Sequence, residues 1–123
     1  MGRVLKLFVT AVLAATALLS VAACSSPAAA GVPAGAVVLD VRTPGEYAAG
    51  HLSGAVNVDV ESPDFATKIA ALDPAGTYLV YCRTGSRAGQ AKSLMGARGF
   101  AHVTNLGGID AAARTTGLSV VTQ

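Results

Sequence analysis

The residues best suited to chemistry form one short polar loop around a single cysteine, Cys82-Arg83-Thr84-Gly85-Ser86-Arg87. The apolar run directly before it, residues 78–81, is typical of a buried strand. Residues 88–97 follow with helical spacing of their apolar side chains, and Gly99 comes after them as a stop. The sequence therefore predicts a thiol between the end of a strand and the start of a helix.

This placement predicts a reactive Cys82. The first backbone N–H groups of a helix have no partner within the helix, and the helix dipole is positive at that end. Such a loop can hold an anion, and here the anion can be the sulfur itself. Helix N-termini and nearby arginines lower a thiol pKa from about 8.5 to about 3.5–7.5, so we interpret Cys82 as a nucleophile. The alternative is a buried core cysteine, but two arginines and a glycine after it are poor core residues.

The first 23 residues predict an export signal rather than part of the fold. Arg3 and Lys6 precede an apolar stretch, 7–23, which suits a signal h-region better than a membrane-spanning helix. The stretch ends in Val21-Ala22-Ala23-Cys24, which resembles the lipobox of bacterial lipoproteins. The resemblance implies that Cys24 is lipidated and anchors the protein to the cell membrane, facing the extracytoplasmic side. Ordinary cleavage and an uncleaved anchor are the alternatives.

The charge of the chain outside this signal is balanced. The whole sequence has nine Lys and Arg residues and seven Asp and Glu residues, and two of the basic ones lie in the predicted signal. Seven basic and seven acidic residues remain, which gives no basic surface for nucleic acid. The remaining 100 residues suffice for one small domain, and we expect a monomer.

The two cysteines, Cys24 and Cys82, indicate a free thiol rather than a structural disulfide. A lipidated Cys24 leaves Cys82 without a partner, which suggests a reactive group in an exported protein. Without lipidation, a bridge between the two remains open. The sequence has no CxxC pair and no His/Cys cluster, so we expect neither a metal site nor a cofactor.

After a small-residue tether, 24–35, strand and helix patterns alternate through the predicted domain, 36–123. Predicted strands cover 36–41, 55–60, 78–81 and 100–106, with an edge strand at 118–121. Predicted helices cover 44–49, 63–72 (with Ser62 as its cap and Pro63 in its first position) and 88–97. A short helix follows Gly107-Gly108, while 51–54 is predicted as a turn. The order predicts an α/β fold with a mainly parallel sheet, whose sites form outside the carboxyl ends of the strands.

Asp40 and Arg42 stand at the end of the first predicted strand. They could therefore face the same crevice as Cys82 and support its chemistry. A local ion pair that fixes the turn between strand and helix is an equally good interpretation. His51, between glycines, is interpreted as a structural hydrogen-bonding residue rather than a general base.

Four blocks together resemble a single-domain rhodanese, and they lie in the family's order at 39–47, 50–57, 80–87 and 105–109. The resemblance implies a small α/β domain, with helices flanking a mainly parallel sheet, that acts as a thiosulfate sulfurtransferase. Cys82 would carry sulfane sulfur as a persulfide from a small sulfur-containing anion, such as thiosulfate, to cyanide or a thiol. The loop residues would stabilise the anionic sulfur and bind the donor: Arg83, Thr84, Gly85, Ser86 and Arg87.

Two other functions remain open from the sequence. Phosphatases and arsenate reductases with a related loop have five residues between cysteine and arginine, whereas four separate Cys82 from Arg87. The shorter loop suits a sulfur atom better than a phosphoryl group. A non-catalytic persulfide carrier or binding module of the same fold is the second alternative. The chain also has Ala111-Ala112-Ala113 where the family often has a tryptophan.

Overall fold

The structure is a computed structural model that describes residues 29–122. Ten elements follow one another along these residues: β1 (Val37–Asp40), α1 (Pro44–Ala49), β2 (His51–Leu52), β3 (Val56–Asn57), α2 (Phe65–Ala70), β4 (Thr77–Cys82), α3 (Ser86–Gly96), β5 (His102–Gly108), α4 (Ile109–Thr116) and β6 (Val120–Val121). The predicted signal, 1–23, and the predicted lipidation site, Cys24, lie outside the described residues. Within residues 29–122, no helix is both long and apolar enough to cross a membrane.

The central sheet has four parallel strands in the order β3-β1-β4-β5. Strands β1 and β4 lie in its interior and pair residue by residue, from Val37 beside Tyr78 to Asp40 beside Tyr81. Strands β2 and β6 form a separate antiparallel pair. The predicted α/β fold with a mainly parallel sheet is confirmed, and Cys82 stands at the carboxyl end of an interior strand.

Successive residues of β1 and β4 face opposite sides of the sheet, as strand geometry requires. One face packs Leu39, Val80 and Cys82 against residues of α2 and α3, including Phe65, Ile69, Ala88, Ala91 and Met95. The other face packs Val38, Leu79 and Tyr81 against Leu52 and Ala112 of α4. The sheet therefore separates two buried layers, and the cysteine belongs to the first.

Helix α1 begins as its sequence predicts, with Thr43 as the N-cap and Pro44 in the first turn. Thr43 Oγ1 accepts the Glu46 backbone N–H at 3.3 Å, and Glu46 Oε2 accepts the Thr43 backbone N–H at 3.0 Å. This reciprocal pair is a capping box, which satisfies two donors that the helix itself leaves free. It fixes where the carboxylate of Glu46 stands.

Several element boundaries differ from the expectation. His51 and Leu52, predicted as part of a turn, form β2 because they pair with Val121 and Val120 far along the chain. Only Val56–Asn57 of the predicted strand 55–60 lies in the sheet. Helix α2 begins at Phe65 with Asp64 as its N-cap, two residues later than predicted. Helix α3 begins at Ser86, two residues earlier than predicted, and β5 continues through Gly108.

Contacts with the folded domain begin before its predicted start at residue 36. The Gly31 backbone N–H donates to the Thr115 carbonyl at 3.1 Å. Val32 packs against the second buried layer. The described part of the predicted tether is therefore joined to the domain from Gly31 onward.

Candidate active site

Cys82 ends β4 with its residue surface fully buried in the first layer. Its Sγ accepts the backbone N–H of Gly85 at 2.9 Å. Among the described residues it is the free cysteine. The predicted arrangement of strand, cysteine loop and helix is therefore present, with the loop folded back over the sulfur.

The loop lowers the pKa of the Cys82 thiol below its ordinary value. Burial is the largest single influence and by itself raises this pKa, because it disfavours the charged form. The backbone N–H groups of Ala88, Thr84, Gly85 and Arg87, of which that of Gly85 makes the hydrogen bond to Sγ, together outweigh the burial. They favour the thiolate, which is the form in which a cysteine acts as a nucleophile.

The sulfur also takes the place of a helix cap. Gly85 is the N-cap of α3, and because it has no side chain it cannot accept a hydrogen bond from the first N–H groups of the helix. Its φ of +99° lies in the left-handed region, which residues with a side chain rarely adopt. This conformation turns the first N–H groups of α3 toward Cys82, so donors that the helix leaves free meet the sulfur as an acceptor.

Gly107 and Gly108 let the end of β5 lie directly against the cysteine loop. A Cβ on Gly108 would stand 2.4 Å from the carbonyl oxygen of Arg83. A Cβ on Gly85 would stand 3.1 Å from Cα of Gly107. The sequence suggested only a tight turn for this pair, whereas the structure shows that close backbone packing also requires it.

Asn105 joins the same two segments by hydrogen bonds. Its Nδ2 donates to the Gly85 carbonyl at 3.1 Å, and its Oδ1 accepts the Gly107 backbone N–H at 2.8 Å. Sequence reasoning gave this residue no role of its own, although it lies in one of the four resembling blocks. Its contact with residue 85 depends on β4 and β5 being neighbours, which local sequence does not reveal.

The two loop arginines differ in their surroundings. Arg83 is exposed, whereas the guanidinium of Arg87 binds both oxygens of Glu46, with Nη1–Oε2 at 2.7 Å and Nη2–Oε1 at 2.9 Å. This pairing lowers the pKa of Glu46 to about 2 and raises that of Arg87. Arg87 thus stands beside the loop as a fixed, partly neutralised cation. Sequence reasoning missed Glu46, for which the capping-box spacing from Thr43 was the available signal.

Asp40 and Arg42 form a buried pair within the other layer. Asp40 accepts Arg42 Nη2 at 2.6 Å and the Tyr81 hydroxyl at 2.7 Å, and Arg42 Nη2 also donates to the Gly50 carbonyl. Tyr81 Oη accepts the Leu52 backbone N–H at 2.9 Å, and burial raises the pKa of that hydroxyl. Tyr81 faces away from the cysteine layer, so this geometry favours a structural ion pair over direct participation of Asp40 and Arg42.

His51 is likewise held by structural contacts. Its ring stacks on Tyr47 with centroids 3.7 Å apart, and Nδ1 lies 2.8 Å from the Tyr47 carbonyl oxygen. The residue is buried, and its strand pairs with β6. These contacts agree with the predicted structural role.

Comparison with known proteins assigns the family. The model of the rhodanese-like domain matches residues 26–114. The chain belongs to the rhodanese family. The predicted resemblance is therefore confirmed, and the matched range includes the whole cysteine loop and the end of β5.

Named relatives of this rhodanese domain are sulfurtransferases. The thiosulfate sulfurtransferase PspE of Escherichia coli K12 is 37% identical over 71 residues, which cover 58% of this chain and 68% of PspE. The thiosulfate sulfurtransferase GlpE of Pseudomonas entomophila is 38% identical over 74 residues, covering 60% of this chain and 66% of GlpE. The match therefore covers slightly more than two thirds of the length of PspE and slightly less than two thirds of the length of GlpE.

A solved rhodanese from E. coli, described as containing anions, has a similar fold. It superposes with a TM-score of 0.59 and 32% sequence identity, covering 72% of this chain and 99% of that structure. It supports the rhodanese fold independently of the family model.

Proposed function

We propose that this rhodanese domain is a sulfurtransferase that moves sulfane sulfur from a donor such as thiosulfate to a thiophilic acceptor through a persulfide on Cys82. The observation that carries the proposal is the sulfur of Cys82 held by backbone N–H groups at the start of α3. The choice of thiosulfate as the donor is supported by the relatives PspE and GlpE, both of which are named thiosulfate sulfurtransferases. A thiolate with a lowered pKa is the nucleophile that covalent catalysis of this kind requires.

In the first half-reaction, the Cys82 thiolate attacks the outer sulfur of thiosulfate. The sulfur–sulfur bond of thiosulfate breaks, and sulfite leaves with its electron pair. Cys82 then carries one extra sulfur as an anionic persulfide. No external oxidant or reductant is needed, because the sulfane sulfur passes between two sulfur nucleophiles.

In the second half-reaction, cyanide or a thiolate attacks the outer persulfide sulfur. The bond to Sγ breaks, and the Cys82 thiolate leaves with the electron pair, while thiocyanate or a new persulfide departs. The N–H groups of Thr84, Gly85, Arg87 and Ala88 that favour the thiolate also favour its release in this step. The same donors therefore serve both halves of the cycle.

Intact mass of the full-length chain, purified in detergent, tests the proposal. We expect thiosulfate to add one sulfur atom to the wild-type chain, and cyanide to remove it. Cys82→Ser should gain none, while Cys24→Ala should still gain it, which assigns the sulfur to residue 82. Failure of the wild-type chain to gain sulfur would contradict the proposal for thiosulfate.

Turnover distinguishes the enzyme from a persulfide carrier of the same fold. An enzyme releases many equivalents of sulfite per chain when cyanide is present, whereas a slow carrier loads once. The phosphatase alternative is less well supported, because both Nη atoms of Arg87 are engaged by Glu46 rather than free to clamp a phosphoryl group. Hydrolysis of a phosphate ester faster than sulfur transfer would reverse this preference.

We also propose that the protein is a monomeric lipoprotein, anchored through Cys24 on the extracytoplasmic side of the cell membrane. The support is the sequence alone: the apolar stretch 7–23 and the lipobox-like residues that end it. Intact mass of the wild-type chain should show the loss of residues 1–23 and an added lipid on Cys24, and Cys24→Ala should show neither change. A wild-type chain without the added lipid would contradict lipidation at this residue.

A further inference from the structure

Two carboxylates stand against the arginine that ends the cysteine loop. Glu46, in the first turn of α1, binds Arg87 through both Nη atoms, and 30% of its side chain is exposed. Glu61 has its Oε2 3.8 Å from Arg87 Nη1, with 59% of its side chain exposed. Arg87 therefore meets acidic groups from two different segments of the chain.

The contact with Glu46 is geometrically specific. Parallel hydrogen bonds between a guanidinium and a carboxylate are among the stronger charge-assisted contacts in proteins. The capping box already fixes Glu46, because its Oε2 also accepts the backbone N–H of Thr43. Glu61 makes no such bond to Arg87, so its effect there acts through charge alone.

These carboxylates change the charge that an incoming donor meets. With Cys82 ionised, the charged groups are its thiolate, Arg83, Arg87, Glu46 and Glu61, and together they carry one net negative charge. Without the two glutamates, the same loop would carry one net positive charge. A doubly charged anion is affected by such a change more than a singly charged one, and a neutral molecule hardly at all.

We propose that Glu46 and Glu61 are specificity-determining residues that offset the charge of Arg87 and so reduce the preference of the site for doubly charged sulfur donors over donors of lower charge. The assignment to sulfur donors rests on the proposed function. The electrostatic effect on the Cys82 thiolate does not, so the two can be tested separately. Arg87 then attracts anions less strongly than a free arginine would, because Glu46 and Glu61 offset its charge.

Alkylation of Cys82 by two reagents of different charge measures the effect directly. Iodoacetamide is neutral and iodoacetate is an anion, and both react with the same thiolate. The ratio of their rate constants therefore cancels any change in the thiol pKa. The full-length protein would carry Cys24→Ala in every sample, so that Cys82 is the cysteine that reacts.

We expect Glu61→Gln and Glu46→Gln each to raise the iodoacetate-to-iodoacetamide ratio about 3-fold at low ionic strength. The rate of sulfur loading from thiosulfate, which carries two charges, should rise by up to about 10-fold relative to iodoacetamide alkylation. Both effects should vanish near 1 M salt, where the screening length is about 3 Å.

Asp73→Asn is the matched control. It removes one negative charge from an exposed residue at the opposite end of β4 from Cys82. We expect it to leave the ratio unchanged. Glu46→Gln alters the capping box of α1, so Glu61→Gln, at an exposed side chain, provides the independent test.

Unchanged ratios in both glutamine variants would overturn the inference, as would an equal rise in Asp73→Asn. If the ratios rise but no variant gains sulfur from thiosulfate, the charge effect stands. In that case the proposed function fails, and the donor specificity with it.

Discussion

The backbone N–H of Gly85 lies 2.9 Å from Sγ of Cys82, so the N-cap residue of α3 donates a hydrogen bond to the sulfur that ends β4. The nucleophile and the helix start are thereby one structural unit. Any change that moves the peptide of Gly85 alters the ionisation of the thiol. The predictions below follow from this coupling and from the contacts that hold it.

The thiol of Cys82 should ionise at lower pH in the folded chain than in the unfolded chain. Its pKa is lowered because the N–H groups of the loop outweigh the effect of burial. The resulting stabilisation is present above the unfolded thiol pKa, about 8.5, and is lost as pH falls through the folded pKa. Iodoacetamide alkylation against pH, with and without urea and on a Cys24→Ala background, measures both values. A folded midpoint at or above the urea midpoint would contradict this.

Asn105→Ala should raise the thiol pKa of Cys82 toward its unfolded value. The variant loses the hydrogen bond to the Gly85 carbonyl and the one from the Gly107 N–H, so the loop is less firmly held. We expect sulfur loading at neutral pH to slow about 10-fold and stability to fall by about 1 kcal/mol. Asn105→Asp keeps an acceptor for the Gly107 N–H but loses the donor and adds a negative charge, so its thiol pKa near 1 M salt, where the charge is screened, reports the lost contact with Gly85. An unaltered thiol pKa in both variants would argue against this role.

Gly108→Ala should lower both the stability of the domain and the rate of sulfur loading on Cys82, whereas Gly96→Ala should lower neither. The new Cβ at residue 108 would stand 2.4 Å from the Arg83 carbonyl oxygen, which forces backbone to move. We expect a loss of about 1–3 kcal/mol in stability and about 100-fold in sulfur loading. The Cβ at residue 96 meets nothing within 4 Å at an exposed helix position, so stability should rise by about 0.5–1 kcal/mol. Urea denaturation and loading rates measure both variants, and equal behaviour of the two would refute the packing argument.

Arg42→Ala should destabilise the fold without changing the thiol. It leaves the buried carboxylate of Asp40 without its cation, which typically costs about 3–5 kcal/mol. The double variant Asp40→Ala with Arg42→Ala should lose less than the sum of the two single changes. The alkylation midpoint of the chain that remains folded should match the wild type. A shifted midpoint at retained stability would instead indicate direct participation in the site.

Local sequence was sufficient for features that depend on neighbouring residues. The cap at Thr43 with Pro44, the apolar strand before Cys82 and the helix after it all follow from short-range rules. The alternation of strand and helix patterns predicted the parallel sheet, and the family resemblance added a role for the cysteine loop. The local sequence rules and the family resemblance both indicated Cys82 as the nucleophile.

The contacts that define the site depend on tertiary structure. Glu46 and Arg87 are 41 residues apart, and no local pattern indicates that they pair. The pairing of β2 with β6 likewise joins residues about 70 positions apart, so residues 51 and 52 read locally as a turn. Asp40 and Arg42 could be placed at a strand end, but the sequence alone did not decide between an ion pair and a catalytic role.

Neighbouring residues of one strand, Tyr81 and Cys82, face the two opposite layers of this small domain. One side of the sheet holds a fully hydrogen-bonded polar network that secures the architecture, and the other holds the reactive sulfur. Substitutions on the cysteine side can therefore leave the hydrogen bonds between Asp40, Arg42 and Tyr81 in place. The strand therefore separates the buried ion pair from the thiol, although both depend on the same backbone.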